Sequence, residues 1–116
     1  MKTMTINDHP ITYVESGDEK APTLILLSGW AQDDRLFKTL APELARDFHV
    51  YCPNYRGHDA DQTLHGDFTS DDLVNDMAEF IDRLNPGTFH LVSTSHGCWV
   101  NIELCDRYKL DRTVVI

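Results

Sequence analysis

The sequence predicts an α/β fold, an N-terminal hairpin followed by parallel strands that alternate with helices. Three observations predict it. Thr23-Leu24-Ile25-Leu26-Leu27 is a short unbroken apolar run, the pattern of a strand buried on both faces of a parallel sheet. Thr69 to Leu84 carries apolar residues at helical spacing behind a capping signal. His49–Pro53 and Phe89–Val92 are further short apolar runs on either side of that helix. Strand and helix therefore alternate, which implies right-handed crossovers with helices on both faces of the sheet.

The elements follow in order. Lys2–Ile6 and Ile11–Glu15 read as two strands around the turn residues Asn7-Asp8-His9-Pro10, hence a hairpin. Ser16 to Pro22 is polar, contains Gly17, and reads as a loop before the Thr23–Leu27 strand. Asp33 to Phe48 is helical in part, with Leu36, Leu40 and Leu44 as an expected apolar stripe. Pro42 breaks or restarts that helix as a first-turn residue of a second piece. His49–Pro53 is the next strand, and Asn54 to Asp67 is a loop rich in Gly, His and Asp.

Thr69 is placed to cap the following helix, with Asp72 answering three residues later and Phe68 and Leu73 as a hydrophobic staple. Leu73, Met77, Phe80, Ile81 and Leu84 form its buried stripe, and Asn85-Pro86-Gly87 ends it. A strand at Phe89–Val92, a helix from Gly97 to Tyr108 and a strand beginning at Arg112 complete the order.

Composition narrows the function classes. The 116 residues make one domain, and a formal net charge of -9 argues against nucleic acid, whose partners need a basic face. The longest strongly apolar run, Leu24 to Leu27, is far too short to span a membrane. The first residues lack the apolar core of a signal peptide. Cys52, Cys98 and Cys105 have no metal-type spacing and suggest no disulfide framework, so the expectation is a cytoplasmic protein without a metal. Arg112-Thr113-Val114-Val115-Ile116 reads as a strand that stops while still apolar, which leads us to expect one piece of a longer or cleaved chain.

The strongest chemical signal is Ser93-Thr94-Ser95-His96-Gly97, lying between a predicted strand and a predicted helix. Taken alone the pentapeptide fits a serine-rich turn with a helix cap equally well. Its strand–loop–helix context favours the nucleophile elbow of α/β-hydrolases, usually written G-x-S-x-G, with the small Ser93 and Gly97 flanking the sharp turn. The turn would lift Ser95 over the sheet edge at a helix N-terminus, where backbone N–H groups favour negative charge.

In that fold the loop after the Thr23–Leu27 strand supplies one oxyanion-hole N–H, and the residue after the nucleophile supplies the other. Those positions are Trp30, in Ser28-Gly29-Trp30-Ala31-Gln32-Asp33, and His96. A packed loop aromatic is the plainer alternative for Trp30. Arg56, Gly57 and His58 in Pro53-Asn54-Tyr55-Arg56-Gly57-His58 fit a loop-shaping role better than a chemical one. His9, His49, His65 and His90 have no partner pattern and carry no assigned role.

Leu27-Ser28-Gly29-Trp30, Asp34-Arg35-Leu36-Phe37-Lys38, Phe48-His49-Val50, Pro53-Asn54-Tyr55-Arg56-Gly57-His58 and Ser93-Thr94-Ser95-His96-Gly97-Cys98-Trp99-Val100 together resemble one subfamily. It is the cofactor-independent 2,4-dioxygenases of 3-hydroxy-4-quinolones, which have the α/β-hydrolase fold. The resemblance runs from about Thr23 to Ile116. It implies that a 3-hydroxy-4-quinolone ring is opened with O2, releasing carbon monoxide and an N-acylanthranilate, without metal or flavin. It implies oxyanion-hole N–H groups from Trp30 and His96, and a Ser95 that hydrogen-bonds the substrate rather than attacking it. A histidine from the second half of the fold, oriented by an aspartate, would take the 3-hydroxyl proton.

The chain departs from that pattern at Ala31-Gln32, where relatives have Cys-His, and at Tyr55, Thr94 and Cys98, where they have Trp, His and Gly. The departures suggest a different substrate, a quinolone with a longer 2-alkyl chain such as an alkylquinolone bacterial signal. The aspartate is expected beyond Ile116 and the histidine later still; Asp59 and Asp61 are not in its position. The chain is therefore expected to be the N-terminal part of an α/β-hydrolase core with an incomplete sheet, lacking the cap and last strands. Alone it is expected to be inactive and not stably folded without its C-terminal remainder. Two other readings stay open: a serine hydrolase acting on esters, amides or lactones through Ser95, and an interaction module that kept the fold without the chemistry.

Overall fold

The structure, a computed structural model, describes residues 1–58 and 67–109 and the backbone of Val114–Val115. The expected loop residues 59–66, with His65, Asp59 and Asp61, lie outside the described residues, as do Arg112, Thr113 and Ile116. The element order is β1 (Lys2–Ile6), β2 (His9–Ser16), β3 (Thr23–Leu27), a 3-10 turn (Asp34–Phe37), α1 (Leu40–Leu44), β4 (His49–Pro53), α2 (Ser70–Leu84), β5 (Phe89–Ser93), α3 (Gly97–Tyr108) and β6 (Val114–Val115).

The strands form one sheet in the order β1-β2-β4-β3-β5-β6. β1 pairs antiparallel with β2, and β2 antiparallel with β4. β4, β3, β5 and β6 run parallel. The central β3 is buried along its whole length, as its apolar run requires. Its side chains alternate between the faces. Ile25 and Leu27 join Tyr51, Leu91 and the inner faces of α2 and α3 in one core. Leu24 and Leu26 join Val50, Cys52, Phe37 and Ala41 in the other. The parallel strands thus carry helices on both faces, and their carboxyl ends share one rim.

The hairpin turn is tighter than the sequence suggested. Asn7 (φ 49°) and Asp8 (φ 68°) alone make it, both left-handed, the geometry of a two-residue type I′ connection that matches strand twist. α2 has the expected capping box: the Thr69 side chain accepts from the Asp72 N–H, and Asp72 accepts from the Thr69 N–H. Asn85 closes the helix in the left-handed conformation.

The expected Leu36, Leu40 and Leu44 stripe is corrected. Leu36 is 46% exposed and Leu40 40% exposed; Phe37 and Ala41 are buried instead, with Leu44 half-buried. A 3-10 turn and a separate short helix occupy this segment, so a single 3.6-residue period does not carry across Lys38 and Thr39. The restart at Pro42 is as expected: it lies in the first turn of α1.

Candidate active site

β5 ends at Ser93, α3 begins at Gly97, and Thr94, Ser95 and His96 turn the chain between them. Ser95 sits at φ 53°, a left-handed backbone that costs a non-glycine residue about 1–2 kcal/mol. Hydrogen bonds hold it there. The Thr94 N–H donates to the Leu27 carbonyl (3.2 Å), Gly97 to Thr94 (2.9 Å) and Cys98 to Ser95 (2.9 Å). Beneath the turn, buried Asn101 donates its Nδ2–H to Ser93 Oγ at 2.8 Å. The result is an exposed serine at the start of a twelve-residue helix, above the carboxyl ends of the sheet.

Two glycines let the loops meet. A Cβ on Gly97 would lie 2.4 Å from the Ser28 oxygen and 2.7 Å from the Leu27 oxygen. A Cβ on Gly29 would lie 2.9 Å from Ser95 Cβ and 3.2 Å from Ser95 Oγ. The Ser28-Gly29-Trp30 loop is therefore pressed against the bend. Among the described residues, neither the Trp30 nor the His96 backbone N–H has a protein acceptor. The structure thus brings together Ser95, Trp30 and His96, the three residues singled out from sequence.

An aromatic wall stands beside them. The Trp30 ring, 47% exposed, lies 5.3 Å from the His96 ring, 5.4 Å from Phe68 and 5.8 Å from His58. His96 Nε2 is also 3.4 Å from Ser70 Oγ at the start of α2. His58 is buried, and its Nδ1–H donates to the Arg56 carbonyl at 3.0 Å. Cys52 is no rival nucleophile, because burial pushes its thiol up to about 12. Among the described residues no group of three or more His, Cys, Asp or Glu is arranged to hold a metal ion, and no helix is long and apolar enough to cross a membrane.

A sharp strand–serine–helix turn, a second loop pressed on it through glycine, and a mixed sheet in this order are the marks of one scaffold. A model of the alpha/beta hydrolase fold family matches residues 22–109. The chain belongs to the α/β-hydrolase fold family.

Relatives within this fold are specific. The chain is 57% identical to 1H-3-hydroxy-4-oxoquinoline 2,4-dioxygenase of Pseudomonas putida, over 100% of this chain and 45% of that protein. It is 38% identical to a 2-heptyl-3-hydroxy-4-quinolone dioxygenase of Rhodococcus erythropolis, over 94% of this chain and 41% of that protein. The solved structure of 1H-3-hydroxy-4-oxoquinoline 2,4-dioxygenase superposes with a TM-score of 0.92 at 56% identity, covering 99% of this chain and 45% of that one. The chain spans less than half the length of these relatives.

Three residues that brace these loops have no structural role in the sequence analysis, where Gln32 and Tyr55 stand only as departures from the family pattern. Gln32 accepts the Gly29 N–H on Oε1 at 2.8 Å. Tyr55, 2% exposed, donates its hydroxyl to the Ser28 carbonyl at 2.8 Å. Asp76 is fully buried on the apolar face of α2 and receives Arg56 Nε (2.6 Å) and Nη2 (2.7 Å) together with Asn7 Nδ2 (3.0 Å). Asp76 carried a signal of its own in the helical period. It lies three residues after Leu73 and four before Phe80, so it shares their face and had to find a buried cation. That pair gives Arg56 the loop-shaping role expected of it, tying the end of β4 to α2.

Proposed function

We propose that this sequence, completed by a C-terminal remainder, forms a cofactor-free dioxygenase that opens the ring of 3-hydroxy-4(1H)-quinolones. The reaction consumes O2 and releases carbon monoxide and an N-acylanthranilate. The observation that carries the proposal is 57% identity along the whole chain to a protein named for 2,4-dioxygenation of this ring system. The site supports it: Trp30, Phe68 and His96 offer an aromatic wall to a flat heterocycle, with the buried His58 ring packed behind them.

The chemistry asks little of the protein beyond proton transfer and electrostatics. A histidine outside this sequence, held by an aspartate, takes the 3-hydroxyl proton. Charge spreads from the 3-oxygen through the ring to the 4-oxygen, and the electron-rich ring reacts with O2. The Trp30 and His96 N–H groups, beside the N-terminus of α3, stabilise the charged oxygen. Ser95 Oγ donates a hydrogen bond to the substrate. The odd number of cysteines, Cys52, Cys98 and Cys105, without disulfide-type spacing, fits a reducing, cytoplasmic setting. A 2-heptyl group appears in the name of the 38% identical relative and not in that of the 57% identical one, so both ring types belong in the assay.

The second reading, a serine hydrolase, is favoured by the exposed Ser95 on its left-handed backbone. Ser95→Ala separates the two. Loss of one hydrogen bond to a charged substrate lowers dioxygenase kcat about 10- to 100-fold. Loss of a nucleophile lowers hydrolysis by several orders of magnitude. The measurement is O2 uptake and carbon monoxide release with 3-hydroxy-4-quinolone and its 2-heptyl derivative. Turnover at background in the Ser95→Ala protein overturns the dioxygenase reading.

A further inference from the structure

The Ser28-Gly29-Trp30 loop would be mobile if left to itself. Gly29 can adopt most backbone conformations, and a rotation there would swing the Trp30 N–H away from the bend. Two consecutive peptide groups are nevertheless pinned. The Ser28–Gly29 peptide is held at both ends: its carbonyl accepts the Tyr55 hydroxyl at 2.8 Å, and its N–H donates to Gln32 Oε1 at 2.8 Å. The Gly29–Trp30 peptide is held at its carbonyl, which accepts the Gln32 backbone N–H at 3.2 Å.

We propose that Tyr55 and Gln32 are positioning residues whose grip on these two peptides aims the Trp30 N–H into the site. The peptide unit is planar and trans, so the Trp30 N–H points opposite to the Gly29 carbonyl. Anchoring that carbonyl on Gln32 directs the N–H away from the anchor. Anchoring the preceding plane on Tyr55 and Gln32 removes the remaining freedom at Gly29. Ala31, at φ 59°, makes the left-handed step that brings Gln32 back over the loop. Burial raises the Tyr55 phenol above its ordinary value, so it remains a hydrogen-bond donor across the working pH range.

The inference rests on the oxyanion role proposed above for Trp30, which a dioxygenase and a serine hydrolase share. Preorganised donors act mainly in the transition state, so loosening one lowers kcat more than it changes KM. The experiment compares wild type, Tyr55→Phe, Gln32→Leu and the double variant in the full-length protein. Substrates are 3-hydroxy-4-quinolone with O2 and, separately, p-nitrophenyl acetate.

Direct removal of an oxyanion donor costs about 100- to 1000-fold, and loosening one costs less, so each single variant is expected to lose about 10-fold in kcat with KM within about twofold. The double variant falls little below the worse single one, because both residues hold the same peptide. Thermal unfolding of each variant separates folding from function. Wild-type kcat in both single variants, even with a lowered Tm, overturns the clamp and leaves the site reading standing. Fully additive losses also overturn it. If only the ester is turned over, the dioxygenase reading falls and the clamp is judged on ester kcat. If the wild type turns over neither substrate, both fall.

Discussion

At the carboxyl ends of β3 and β5 the chain holds Ser95 and Trp30 exposed, beside the Trp30 and His96 backbone N–H groups, which lack protein acceptors among the described residues. At the amino ends of β3, β4 and β5 lies a cleft of about 800 Å³, lined by residues including Glu15, Thr23, His49, Tyr51 and His90, against about 400 Å³ for a hollow at Ala31, Gln32, Asp33, Arg35 and Leu36 beyond β3. Volume alone would choose the amino-terminal cleft. Its half-buried acid–base pair, Glu15 and His49, is however already committed. The Glu15 carboxylate receives Lys2 Nζ at 2.7 Å and lies 2.6 Å from His49 Nε2. The Lys2 hydrogen bond, with help from His49, holds its carboxyl below the usual carboxylate range. Burial and then the Glu15 charge push the Tyr51 phenol up to about 12. The carboxyl-end rim instead keeps donors unspent and backbone strain at Ser95 and Ala31. A site is marked by uncommitted polar groups on a rigid frame, and the size of the hollow says less.

The comparison can be broken most forcefully at the glycines. Gly97→Ala puts a methyl group 2.4 Å from a backbone oxygen under the elbow. A shift of about 1 Å there is expected to cost on the order of 100-fold in kcat, alongside about 1–3 kcal/mol of stability. Steady-state kinetics with a thermal melt reads both. An active Gly97→Ala protein would mean that the elbow is looser than its packing shows.

Gly17→Ala is the matching lesion at the other rim. Gly17 has φ 89°, and its added Cβ would meet the Phe48 oxygen at 2.0 Å. Chemical denaturation is expected to show a loss of about 2–3 kcal/mol, combining left-handed strain with overpacking. Its folded fraction should retain wild-type kcat. A kcat loss as deep as that of Gly97→Ala would erase the distinction between the rims.

The smallest effect concerns pH. A carboxyl whose pKa is depressed by folding stabilises the fold above its unfolded value, here near the ordinary 4.5, and loses that contribution as pH falls through the folded value. The Tm of wild type should therefore fall more steeply below about pH 4.5 than that of Glu15→Gln, with kcat at neutral pH unchanged. Parallel Tm–pH curves would show that the Lys2–Glu15–His49 cluster contributes nothing.

Much of this is legible in the sequence alone. β3, β4 and α3 fall on their expected boundaries, and the Thr69–Asp72 capping box forms as read, because each depends on neighbours within a few residues. Leu36 and Leu40 failed for the opposite reason. Their burial depends on the phase between a 3-10 turn and a helix, and Phe37, the larger side chain, took the core position. That Ser95, Trp30 and His96 lie together was legible because the elbow and the loop after β3 have short-range signatures. Gln32 and Tyr55 were not legible as a pair, since Tyr55 and Ser28 are 27 residues apart in sequence.

The sequence by itself determined the strand–helix alternation, the caps and the place of the serine bend, since periodicity and turn chemistry act over a few residues. Tertiary structure alone decided which peptides are gripped, which charges are paired and which rim keeps its donors unsatisfied. Those outcomes depend on distances between segments far apart in the chain, and distances are set only when the sheet closes and its faces pack.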